Sequence, residues 1–131
     1  MAGLEVWESV TLAGRPERAR VARAFAVGVL GAGHPRGDDA ALLVSEPFGN
    51  SVRHSRSGAA GGTDTVAVRT GDGVVRVEVT DRGGPEVPGP CSAGGDAEGG
   101  RGLQLVAGLA ARWGWRQAGG RTVTWFELRH R

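Results

Sequence analysis

The sequence predicts an α+β fold: a two-layer sandwich in which helices gather on one face of a mixed, mainly antiparallel sheet. Three observations lead there. An opening run of period two is followed by two stretches of helical spacing. Two β-rich runs are then joined by Gly71-Asp72-Gly73. After a long loop, one more helical stretch leads into a closing pair of strands around Gly119-Gly120.

Leu4 to Leu12 alternates, with Leu4, Val6, Val10 and Leu12 on one face and Glu5, Trp7, Ser9 and Thr11 on the other. That is the pattern of a half-buried strand, with Glu8 breaking it once. Pro16 suits the first turn of a helix, and Glu17 to Leu30 carries apolar residues at helical spacing until Gly31, Gly33 and Pro35 stop it. Asp38 or Asp39 would cap a second helix running to about Ser55. Thr65–Thr70 and Val74–Thr80 read as a hairpin, because Asp-Gly between alternating runs supplies the positive φ angles of a tight turn. From Asp81 to Gly100 the chain is rich in glycine and proline and has no period; so long a loop within a compact domain points to function. Leu103 to Trp113 reads as a helix, and Thr122 to Arg129 as the last strand. No repeat or second domain is visible, so residues 1–131 are expected to form one domain.

Composition excludes several chemistries. All sixteen basic residues are arginine. Without lysine there is no P-loop, no Schiff base and no Ser-Lys nucleophile pair. Cys91 is alone, so it forms no internal disulfide and has no cysteine partner for zinc. No apolar run approaches the ~20 residues that span a bilayer, and the first ten residues lack a basic leader, so a cytoplasmic chain without membrane attachment is expected. The net charge of +2 is small and the arginines are scattered, which argues against direct nucleic-acid binding.

Three stretches hold candidate chemistry. Glu46, Asn50 and His54 stand at i, i+4 and i+8, on one side of a helix. A carboxylate and an amide one turn apart are hard oxygen donors of the kind magnesium prefers, although a solvated polar face looks the same. Asp81 ends a strand and is followed at once by Arg82-Gly83-Gly84, a turn or a fixed acceptor beside backbone open to a flat ligand. Gly99-Gly100-Arg101-Gly102-Leu103 opens a helix, where exposed backbone N–H groups favour an anion.

In this order and spacing the three resemble the asparagine box and the two glycine boxes of the Bergerat-fold (GHKL) ATPases, the superfamily of the Hsp90, gyrase B, MutL and sensor histidine kinase ATP-binding domains. In length the chain is similar to the bacterial anti-sigma-factor serine kinases of the RsbW and SpoIIAB type, and the resemblance runs from the first strand to Phe126-Glu127-Leu128. It implies that Glu46 is the general base or orients the attacking hydroxyl, and that Asn50 holds the magnesium bridging the ATP phosphates. It implies that Asp81 accepts from the adenine amino group and that Gly83 lets the base lie flat. Gly100, Arg101, Gly102 and Leu103 would hold the phosphates, residues 84–99 would form the lid, and Thr124 would sit near the adenine. His54 would be structural.

The implied function is an ATP-dependent serine/threonine kinase that sequesters a sigma factor and phosphorylates an anti-sigma-factor antagonist. A homodimer paired through the sheet side is implied as well. Three residues depart from the family pattern: Pro47 directly after Glu46, Pro85 in place of the second glycine of the first glycine box, and Glu98 where kinase members carry a basic residue. A proline inside a helix costs about 3 kcal/mol or forces a kink. These departures define the alternative, a catalytically impaired ATP-binding module acting as a nucleotide-dependent protein-binding switch.

Overall fold

The computed structural model describes residues 6–54, 61–82 and 108–130, with Val6, Asn50, Arg53 and His54 described in backbone only. Strand β1 (Val6–Ala13) leads through a 3-10 turn (Pro16–Arg18) into helix α1 (Ala19–Leu30), and helix α2 (Gly37–His54) follows. Strands β2 (Thr63–Gly71) and β3 (Val74–Asp81) form a hairpin, as do β4 (Arg112–Ala118) and β5 (Arg121–Arg129). The sheet order is β1-β2-β3-β5-β4, and every pairing among these strands is antiparallel. The expected sandwich is therefore found, and its mainly antiparallel sheet is antiparallel throughout the described strands.

The β2–β3 turn forms as its sequence requires. Asp72 and Gly73 have φ of 53° and 75°, the left-handed pair of a two-residue hairpin. A side chain on Gly73 would also meet the His130 carbonyl at 3.0 Å. Helix α1 starts two residues later than expected, because Pro16 and Glu17 enter a 3-10 turn first. It stops at Gly31 (φ 93°), whose N–H still bonds the Val27 carbonyl at 2.9 Å. Helix α2 begins at Gly37, so Asp38 and Asp39 lie in its first turn and do not cap it. Acidic residues there still complement the helix dipole.

Two other expectations change. Trp113 lies in β4 and not at the end of a helix; helical backbone is described only at residues 108 and 109. Trp113 pairs with Phe126 across β5, so burial against the sheet overrides the helical spacing. The α2 helix runs unbroken through Pro47. From Ala40 on, Leu43, Val44, Pro47, Phe48 and Ser51 are buried with it, at i+3, i+4, i+7, i+8 and i+11. Pro47 thus sits on the stripe that packs against the sheet, and burial of that stripe offsets the lost backbone bond.

The core lies between this stripe and one sheet face. Ala22 and Ala26 of α1 are fully buried, as are Phe48 of α2, Val75 and Val77 of β3, and Phe126 of β5. Alternation along β3 is complete, with Val75, Val77, Val79 and Asp81 inward. The same row rule makes Asp81 a core-facing residue at the end of its strand. Helix α2 has 18 residues, about 27 Å long. It packs on the eight-residue β3, about 26 Å long, and so reaches from one end of the sheet to the other.

Candidate functional site

One end of the helix-facing side collects polar groups that burial would otherwise disfavour. Asp81 is 8% exposed, and its Oδ1 accepts the Thr122 N–H at 3.3 Å. Thr122 is its cross-strand partner on β5, so the carboxylate folds back onto its own neighbour. Thr124, two residues along β5, is also buried and shares this face.

The second carboxylate is Asp64 at the start of β2, fully buried. The β2–β3 register ends at Thr65 and Thr80, and one further step sets Asp64 beside Asp81. Ser51 donates its hydroxyl to Asp64 Oδ1 at 2.6 Å, a short bond within the core. That bond fixes the C-terminal part of α2 over this end of the sheet. Asn50 precedes Ser51, and Glu46 lies one turn earlier, half-buried. Helix length and strand register thus place the Asn50 backbone, Asp81 and Thr124 toward one end of the sandwich, with Glu46 at the middle of α2.

Gly83, Gly100, Arg101, Gly102 and Leu103 lie outside the described residues, as do the loop 84–99, Pro85 and Glu98. Sequence reasoning missed Ser51, Asp64 and Thr122, each of which needs the register to be seen. It also missed Trp115, which is partly exposed and pairs with Thr124 on the same face.

Residues 12–128 match the histidine kinase-like ATPase domain family. The chain belongs to that family. This ATPase domain is also similar to the crystal structure of the RsbU and RsbW domains of Rv1364c from Mycobacterium tuberculosis, with 25% identity and a TM-score of 0.70. The likeness covers 95% of this chain and 32% of that one, so the domain spans about a third of its relative's length. It agrees with the RsbW-type resemblance of the motifs. A comparison with curated proteins found no match.

The residues of this end fit a nucleotide. A buried carboxylate at a strand end suits an amino-bearing base, because each exocyclic N–H can donate to it. Two core carboxylates near the last turns of α2, where the helix dipole is negative, favour a cation or a donor-rich ligand. Among the described residues, no group of three or more His, Cys, Asp or Glu is placed to hold a metal. Magnesium in phosphoryl transfer usually keeps waters and phosphate oxygens, and takes only one or two protein donors. Among the described residues, no helix is long and apolar enough to cross a membrane.

Proposed function

We propose that this ATPase domain binds Mg-ATP at the Asp81 end and phosphorylates a serine or threonine of a small anti-sigma-factor antagonist, while it also holds a sigma factor. The observation that carries the reading is the buried Asp81 carboxylate, on one sheet end with Thr124 and under the same helix as Glu46 and Asn50. The RsbW-type likeness supplies the reaction class.

Phosphoryl transfer asks a protein mostly for positioning and charge neutralisation. Bound magnesium would neutralise the phosphate oxygens. Asp81 would accept from the base amino group, and its bond to Thr122 N–H orients it for that task. Thr124 would line the base, and the Asn50 amide oxygen would take one cation position. Glu46, half-exposed on α2, would accept the proton of the attacking hydroxyl or hold that hydroxyl in line. Gly83, Gly100, Arg101, Gly102 and Leu103 complete the assignment on the resemblance alone.

Calorimetric titration with ATP and magnesium tests the site. Asp81→Ala should weaken ATP by about tenfold or more, as expected for a lost bond between a buried carboxylate and its ligand. Equal affinity in wild type and Asp81→Ala would remove the assignment. Phosphate transfer to the antagonist tests the reaction: Glu46→Ala should keep ATP binding and lose transfer. The position of Pro47, directly after Glu46 within α2, favours a second reading in which nucleotide only switches partner affinity. ATP binding with no phosphoserine formed by the wild type would select it.

A further inference from the structure

The sheet's second face, away from the helices, is unlike the first. Cross-strand alternation places six arginines on it, among them Arg69 on β2, Arg76 on β3, Arg129 on β5 and Arg112 on β4. Against these six stand Glu78 and Glu127 on the strands and Asp72 of the β2–β3 turn at the edge of the face. The whole chain carries only +2, so the face holds a net +3 and the remainder of the molecule must sum to −1.

We propose that this outer face docks an acidic segment of a partner protein. One row crosses all five strands, Trp7–Arg69–Arg76–Glu127–Arg112. At roughly 4.8 Å per strand it spans about 19 Å, too long for one small anion and suited to a stretch of chain. Beside the row a recess of about 300 Å³ is lined by Arg69, Arg76, Arg112 and Arg129, with Asp72 and Glu127. Its excess of guanidinium groups suits carboxylate side chains, which arginine can bind with two parallel hydrogen bonds.

The arginines are not all committed to their own glutamates. Arg76 is: it bonds Glu78 at 2.9 Å and Glu127 at 2.7 Å, and lies 4.2 Å over the Trp125 ring. Burial alone would lower its pKa, yet the bonds and charges of those two glutamates outweigh it and raise the value. Arg112 and Arg116 reach Glu127 and Glu78 only at 3.8 Å, with side chains 64% and 52% exposed. Such pairs are worth little in water and exchange readily for a better partner.

The competing occupants fit worse. A second copy set face to face, the sheet-side homodimer that the family resemblance implies, would bring two basic surfaces together. Single-stranded nucleic acid needs open aromatic faces for base stacking. Here Arg76 and Arg112 cover Trp125, Arg69 lies 5.8 Å over Trp7, and two glutamates repel phosphate. The proposal needs no nucleotide, so it stands apart from the kinase reading.

The test uses the full chain and two labelled probes at physiological salt: a peptide of alternating glutamate and alanine, and an oligothymidylate of equal charge. Fluorescence anisotropy should show the peptide bound more tightly. Arg112→Glu with Arg116→Glu should weaken it by about tenfold, because two exposed attractive charges become repulsive. Arg18→Glu with Arg20→Glu, exposed at the start of α1, should leave it unchanged. Circular dichroism matching wild type shows that both variants are folded. Equal loss in both variants, tighter binding of the oligothymidylate, or no peptide binding would overturn the proposal. So would a homodimer in sedimentation that only the outer-face variant dissociates.

Discussion

The two ends of the sandwich are both polar, yet they are built on opposite principles. At the Asp81 end, Ser51, Asp64, Asp81, Thr122 and Thr124 are all buried. At the other end, near Gly73, polar groups are only half-buried and act as a clasp. Arg36, just before α2, donates from Nε to the Arg129 carbonyl at 2.7 Å and pairs with Asp39 at 2.7 Å. His34 lies edge-on to His130 with ring centroids 4.5 Å apart, and the His130 N–H bonds the Gly73 carbonyl at 2.8 Å. Helix α2 joins the two ends. A clasp needs only to hold, so solvent can share its hydrogen bonds. Carboxylates in a core carry a desolvation cost, which hydrogen-bond donors such as the Ser51 hydroxyl and the Thr122 N–H offset.

Removing a bond at each end should therefore cost different amounts. Ser51→Ala takes a 2.6 Å hydroxyl donor from the fully buried Asp64 carboxylate, and should lower stability by about 1–3 kcal/mol in urea unfolding. Ser51→Thr keeps the donor and should recover most of that loss, which separates the bond from simple packing. Because the same bond seats α2 beside Asn50, ATP affinity should fall as well. A loss no greater than that of a surface substitution would mean that the buried end is not held by this pair.

At the exposed end, Arg36→Ala removes one charge-assisted bond and one surface ion pair, the latter with side chains more than a third exposed. The expected loss is about 0.5–1.5 kcal/mol, mostly from the bond to the Arg129 carbonyl, since water replaces the ion pair cheaply. ATP affinity should not change. If Arg36→Ala cost more than Ser51→Ala, the contrast between clasp and site would be reversed.

How much of this was legible follows from what each feature needs. The β2–β3 turn was legible because Asp72 and Gly73 alone supply two positive φ angles. Helix α2 was legible as a helix running to about Ser55, and Asp81 from its place between a β-rich run and glycine. Asp64 was not, because its partner Ser51 is thirteen residues away and joins it only once α2 lies on β2. Trp113 was misread because its distance from Leu109 and Ala110 fits a helix. In the sheet, Trp113, Gly114 and Trp115 alternate, and Gly114 exists for a neighbour: a Cβ there would lie 2.9 Å from the Trp125 ring. Such a glycine resembles a breaker until the ring above it is known.

The smallest expected effect concerns pH and sharpens the contrast further. His34 accepts the Arg36 N–H on Nδ1 at 3.0 Å, so that nitrogen must be unprotonated. Burial, and then the nearby His130, lower its pKa from the ordinary 6.5. Arg36 adds a further positive charge, with Asp39 the facing carboxylate. The folded chain therefore binds fewer protons than the unfolded chain between the lowered value and 6.5. Stability contributed here is complete above 6.5 and is lost as pH falls through the lowered pKa. His34→Asn keeps an acceptor near Nδ1 and cannot titrate. Its melting temperature should fall less than that of wild type between about pH 7.5 and 5.5, by a difference smaller than the Arg36→Ala effect. Equal slopes for the two proteins would mean that the clasp holds without regard to His34 protonation.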